Sequence, residues 1–161
     1  MLNFETLSTD LNSFESELTA LKKTYSEKIM KQFSDILRGY FEEDTECKVI
    51  TWTQYTPYFN DGEECVFRVN DPAFYSSEEA LEEYEYDGDL TAPSSYYDEL
   101  KLYDSTRKAW RPAEGLEINR GKLSKIIGSD SLADILKLTF GDHVKVTVRP
   151  DGITSEEYDH D

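Results

Sequence analysis

Histidine is nearly missing from this chain, with only His143 and His160 among 161 residues. Cysteine is as scarce, represented by Cys47 and Cys65 alone. Two cysteines do not make the disulfide framework of a small secreted domain, and they suit a reducing compartment. No run of 18 apolar residues occurs, so no membrane-spanning helix is expected. The opening Met1-Leu2-Asn3-Phe4-Glu5 has neither the basic stretch nor the apolar core of a signal peptide. Together these point to a cytoplasmic protein. Positive charge is the other absence. Residues 39–100 hold two basic side chains, Lys48 and Arg68, against 17 Asp and Glu, a net −15. The whole chain is −17, so each flank contributes only −1. Nucleic-acid binding depends on Lys and Arg neutralising phosphates. A chain this acidic, with no basic block, is expected to be repelled by DNA, RNA and anionic lipid.

Recognisable catalytic and cofactor patterns are missing too. The chain has no phosphate-binding glycine loop, no nucleophile elbow and no zinc-ligand spacing. His143 reads as a half-exposed residue at the start of a strand, and Cys47 and Cys65 as small packed hydrophobes. A cysteine–histidine pair brought together in space stays open as an alternative. Asp87-Gly88-Asp89 offers oxygen ligands for calcium but lacks the EF-hand ligand order. Asp159-His160-Asp161 reads as an acidic terminus sooner than as a metal site. No catalytic residue, metal or cofactor is assigned, and a non-enzymatic protein is expected.

Aromatic residues are abundant at 13%, with eleven Tyr and eight Phe. Disordered acidic segments are poor in aromatics, so the composition argues for a folded acidic protein. At 161 residues a single domain spanning 1–161 is expected, long enough to bury a core. Its first segment, 3–42, reads as one long amphipathic helix. Apolar residues fall at Leu7, Leu11, Phe14, Leu18, Leu21 and Tyr25, then at Ile29, Phe33, Ile36 and Tyr40. The steps of three and four make a heptad seam with one slip near Tyr25–Phe33. Leu7, Leu11, Phe14, Leu18, Leu21 and Tyr25 are the candidate oligomerisation residues, for a homodimer through this helix. The alternative is a helix packed along its own sheet.

A hairpin is expected over 47–70. Cys47–Tyr58 is rich in β-branched and aromatic residues, Asn60-Asp61-Gly62 supplies turn chemistry, and 65–69 returns. Strand alternation sets Trp52 and Gln54 opposite Thr53 and Tyr55. Trp52, Tyr55, Tyr58 and Phe59 form an aromatic patch unless core packing claims some of them. Residues 71–103 read as an acidic, Tyr-rich insert with Ser77 capping a short helix through Glu78–Tyr84. Two helices follow over 116–140, Leu116–Ile127 and Ser131–Phe140, closed by Gly141. The last segment, 143–158, is a second hairpin with Val144, Val146 and Val148 on one face. The fold class is therefore α+β: a long N-terminal amphipathic helix, two hairpins forming a mainly antiparallel sheet, and two short C-terminal helices.

The insert carries the sharpest functional expectation. Glu78 and Glu82, and Glu79 and Glu83, lie four apart, so a helix sets them about 5–6 Å from each other in a destabilising like-charge row. Such a row compares with the run of phosphates along a nucleic-acid strand. Glu85, Asp87, Asp89, Asp98 and Glu99 extend it, with Tyr84, Tyr86, Tyr96 and Tyr97 interleaved as interface anchors. These thirteen are the candidate partner-binding residues, and the pattern resembles inhibitors that mimic DNA to occupy a basic groove. The expected partner is a basic protein that itself binds nucleic acid. A solvated acidic loop is the plainer alternative, and assembly through the N-terminal helix is the alternative function.

The stretch Ile50-Thr51-Trp52-Thr53-Gln54-Tyr55-Thr56-Pro57-Tyr58-Phe59-Asn60-Asp61-Gly62-Glu63-Glu64-Cys65-Val66-Phe67 is similar to a motif of small acidic proteins of tailed bacteriophages. The ending Glu157-Tyr158-Asp159-His160-Asp161 resembles theirs as well. The resemblance covers about a quarter of the chain. It implies a setting in the cytoplasm of a bacterial host and a role in binding and blocking host machinery, and it carries over no catalytic residue.

Overall fold

The computed structural model describes residues 4–59, 61–84, 87–93 and 100–159. The chain is α+β and divides into two compact units, Met1–Ile36 and Leu37–Asp161. The helix α1, Phe4–Glu43, contributes to both. Forty residues without proline sustain it, and Gly39 lies inside the helix without ending it. Every residue from Phe4 to Tyr25 is exposed, whereas Phe33, Leu37 and Tyr40 are buried.

The larger unit is built on an antiparallel sheet. Strand β1 (Val49–Tyr55) is central, β6 (Val144–Arg149) lies beside it, and β7 (Gly152–Glu157) forms the far edge. On the other side of β1 the return strand is broken in two. β2 (Arg68–Val69) pairs with Gln54 and Tyr55, and β3 (Ala73–Tyr75) pairs with Val49–Thr51. The hairpin expected over 47–70 therefore forms, but its return arm is two residues long and resumes after an interruption at Asn70–Pro72. Pro72 has no N–H to give the ladder, and Asn70 holds the gap by donating its backbone N–H to Thr53 O (2.9 Å) and its side-chain amide to Thr53 Oγ1 (2.8 Å). Residues 71–103 are correspondingly less of an insert than their composition suggests, since β3 inside them is fully buried.

One face of the sheet carries Ile50, Trp52 and Gln54 of β1 with their cross-strand partners Phe74, Val146 and Val148. The C-terminal turn of α1 reaches it through Tyr40 against Phe74, at 6.0 Å between ring centres. Helix α4 (Asp130–Phe140) reaches it through Phe140 against Trp52, at 6.4 Å. Helix α3 (Leu116–Ile127) buries Leu123 and Ile127. On the opposite face Val49, Ala73 and Tyr75 pack with Ala80 of helix α2 (Glu78–Glu83) and with Leu81. Ser77 caps α2 as expected, its hydroxyl accepting from the Ala80 N–H. A separate hairpin that the pattern did not reveal joins β4 (Lys101–Asp104) to β5 (Ala109–Pro112). Its turn is held by Asp104, whose Oδ1 accepts from the Thr106 and Arg107 N–H groups.

Candidate interaction surfaces

The seam on α1 leaves a row of large apolar side chains open to solvent. Leu7, Leu11, Phe14, Leu21 and Tyr25 are each more than half exposed, Leu18 is 39% exposed, and Phe4 extends the row at 71%. Phe4 was not among the expected oligomerisation residues, although it lies three residues before Leu7 and continues the same spacing. Steps of three and four return each of these side chains to one stripe of the helix.

Two of the expected partner-binding acids also make contacts within the fold. Glu78 is engaged in a bidentate pair with Arg149 of β6 (2.6 and 2.9 Å), and the guanidinium holds its carboxyl below the ordinary range. Asp89 is turned back toward β3, where it accepts from the Ser76 N–H (2.8 Å) and from the Ser76 hydroxyl. Both carboxylates, expected as partner-binding acids, are thus engaged within the fold while staying exposed. An Arg 71 positions away and a Ser 13 positions away claim them, and neither proximity is visible in sequence spacing. Glu79, Glu82, Glu83, Tyr84 and Asp87 remain exposed. Among the described residues no cation lies within ion-pair distance of Glu82 or Glu83. Glu85, Tyr86, Tyr96, Tyr97, Asp98 and Glu99 lie outside the described residues, as does His160.

The 50–67 stretch is mostly structural. Trp52 is buried and donates its indole N–H to Gln54 Oε1 (3.1 Å), while the Gln54 amide donates to Leu136 O (3.1 Å) and Gly141 O (2.7 Å). Asp142 accepts from the Thr56 N–H (2.7 Å) and hydroxyl (2.6 Å) and pairs with Lys137 at 3.0 Å. The Lys137 ammonium also lies 4.6 Å from the centre of the Phe67 ring. The stretch is thus stitched to the end of α4 and the loop after it. Of its aromatics, Trp52 belongs to the core, Tyr55 is half-buried, and Tyr58 and Phe59 are exposed. Tyr58 stacks on His143 (4.8 Å) and Tyr55 on Tyr158 (6.0 Å).

No constellation of nucleophile and base assembles among the described residues. His143 has φ +56, just before β6 begins, and faces Tyr58 and Asp142. Cys47 is buried, and burial first of all pushes its thiol up to about 11, so it stays protonated and unreactive at neutral pH. The buried Asp44 accepts from Arg120 (2.8 and 3.1 Å), from the Tyr40 hydroxyl (2.7 Å) and from the Cys47 N–H (3.3 Å). Burial works to raise its carboxyl, but the hydrogen bonds from Arg120 and Tyr40 outweigh it and hold Asp44 below the ordinary range. Every group there is satisfied internally, which marks a structural ion pair. Two open hollows, of about 340 and 380 Å³, are lined without any histidine or cysteine. Among the described residues no three His, Cys, Asp or Glu are grouped to hold a metal, and no helix is long and apolar enough to cross a membrane. Comparison with family models, with curated proteins and with solved structures finds no match.

Proposed function

We propose that this is a non-enzymatic binding protein that assembles with a second copy of itself through the N-terminal seam of α1. The open row Phe4–Tyr25 carries the proposal. A helix exposing seven large apolar side chains on one stripe, over 22 residues and roughly 33 Å, leaves more apolar surface in water than an isolated helix sustains. Fully burying such a side chain contributes about 1.5–3 kcal/mol. Two copies of the row offset an association cost of about 4–15 kcal/mol. Pairing driven by apolar burial resists salt. Light scattering is expected to give twice the 18.6 kDa chain mass at both about 0.1 M and about 1 M salt. Replacing Leu11, Leu18 and Leu21 by Asn is expected to return a folded single chain. A monomeric wild-type protein would end the proposal.

A second reading follows from Glu82 and Glu83, which stay exposed and, among the described residues, have no cation at ion-pair distance although they lie in the most acidic part of the chain. In that reading the exposed acids Glu79, Glu82, Glu83 and Asp87 engage a basic partner, such as a nucleic-acid-binding protein of a bacterial host.

A further inference from the structure

We infer that the two α1 helices associate parallel and in register. The orientation presupposes the pairing through this seam proposed above. Numbered as heptads abcdefg, the row places Phe4, Leu11, Leu18 and Tyr25 at a, and Leu7, Phe14 and Leu21 at d. The next d position is Lys28, where the apolar repeat stops.

The count of four a residues against three d residues discriminates between orientations. In a parallel pair each residue faces its own copy, so all seven layers are filled. In an antiparallel pair a residues face d residues, so six layers form at most and each chain leaves one a residue, Phe4 or Tyr25, in water. Phe4 is 71% and Tyr25 57% exposed in the single chain, so either loss forfeits a large aromatic contact.

The charges beside the seam point the same way. Positions e hold Ser8, Glu15 and Lys22, and positions g hold Asp10, Glu17 and Thr24. In a parallel pair g faces the e residue five positions further along the partner. Glu17 then meets Lys22 of the other copy on both sides, against one like-charge contact per side between Asp10 and Glu15. In an antiparallel pair e faces e and g faces g. Aligning Leu7 with Tyr25 sets Glu15 against Glu15 and Glu17 against Glu17. Aligning Phe4 with Leu21 sets Asp10 against Glu17 twice. Neither antiparallel register contains an attractive pair.

Disulfide trapping in the full chain reads the orientation directly, because a disulfide needs Cα atoms roughly 4.4–6.8 Å apart. In a Cys65→Ser background, with buried Cys47 left in place, Leu11→Cys and Leu21→Cys are made separately and oxidised. Each variant alone is expected to convert mostly to a covalent pair of doubled mass on a non-reducing gel. The two variants mixed are expected to give no 11–21 product. A species of doubled mass by light scattering whose single variants stay uncrosslinked, while Leu11→Cys crosslinks to Leu21→Cys or Phe14→Cys, would overturn the parallel register and leave the assembly standing. A wild-type protein of single-chain mass would overturn both, and so would a dimer in which no position crosslinks.

Discussion

At Asp142 four donors converge on one carboxylate: the Thr56 N–H and hydroxyl, the His143 N–H and the Lys137 ammonium. Partial burial works against ionisation there, but the hydrogen bonds from Thr56 and Lys137 outweigh it and hold the carboxyl down at about 2. An unfolded chain titrates the same group near 3.9, so the difference corresponds to roughly 2 kcal/mol of stability at neutral pH. Because the folded value is the lower one, that contribution is complete above about pH 4 and disappears as pH falls through about 2. Asp142→Asn is accordingly expected to lower the unfolding free energy by roughly 2 kcal/mol at pH 7. The gap between variant and wild type should shrink in acid. Denaturant titrations at neutral pH and near pH 2 check this, and an equal gap at both would show that Asp142 does not act through its charge. The residues that give the 50–67 stretch its character serve this junction and the Trp52–Gln54 hydrogen bonds more than any exposed surface.

At the scale of elements, periodicity made some of the fold readable and contact at a distance hid the rest. The 3–4 spacing of α1, the helices over 116–140 and the alternation of Val144, Val146 and Val148 each repeat within one segment, so a single pass along the chain finds them. Strand β3 does not repeat: Ala73-Phe74-Tyr75 is three residues long, buried on both faces, and squeezed between Pro72 and Ser76-Ser77. The β4–β5 hairpin was equally obscure because its strands mix Lys, Asp and Arg with aromatics and show no clean alternation. Pairings such as Asp44 with Arg120, 76 residues apart, leave no local trace. Nor does the one between Glu78 and Arg149, 71 residues apart, which no spacing within the acidic segment foretells. The fold also covers one sheet edge in a way that only a glycine permits. Leu90 N–H donates to Phe74 O (3.1 Å), and Gly88, at φ +70, lies so close that an added Cβ would collide with the Phe74 carbonyl oxygen and come within 2.8 Å of its nitrogen. Gly62, at φ +89, has open space around it. Gly88→Ala is therefore expected to cost roughly 2–4 kcal/mol, against about 1 kcal/mol of conformational strain alone for Gly62→Ala. Equal costs in denaturant unfolding would mean that the 87–90 segment does not press on β3.

For the molecule as a whole, the question is why −15 of a −17 charge is kept between residues 39 and 100. Charge of one sign repels itself in the compact state. The placement of Glu82 and Glu83 makes this worse. They sit in the last turn of α2, beside the negative end of the helix dipole, with no basic residue in that turn. Asp44, Asp89, Asp142 and Glu78 are each held by named donors, so their acidity has a structural use. Among the described residues Glu82 and Glu83 have none, and the stability of the fold alone would favour Lys at both positions. Glu82→Lys with Glu83→Lys is therefore expected to raise the melting temperature at about 0.01 M salt by a few degrees, corresponding to about 1 kcal/mol. Raising salt to about 0.2 M screens the repulsion, so the wild type should gain stability with salt and the variant should gain less. A variant that melts lower than wild type would place these acids in the fold's own stabilisation and remove the ground for assigning them to a partner. A variant that melts higher would show two carboxylates kept at a cost to stability. Their use would then lie outside the chain, in contact with a basic partner.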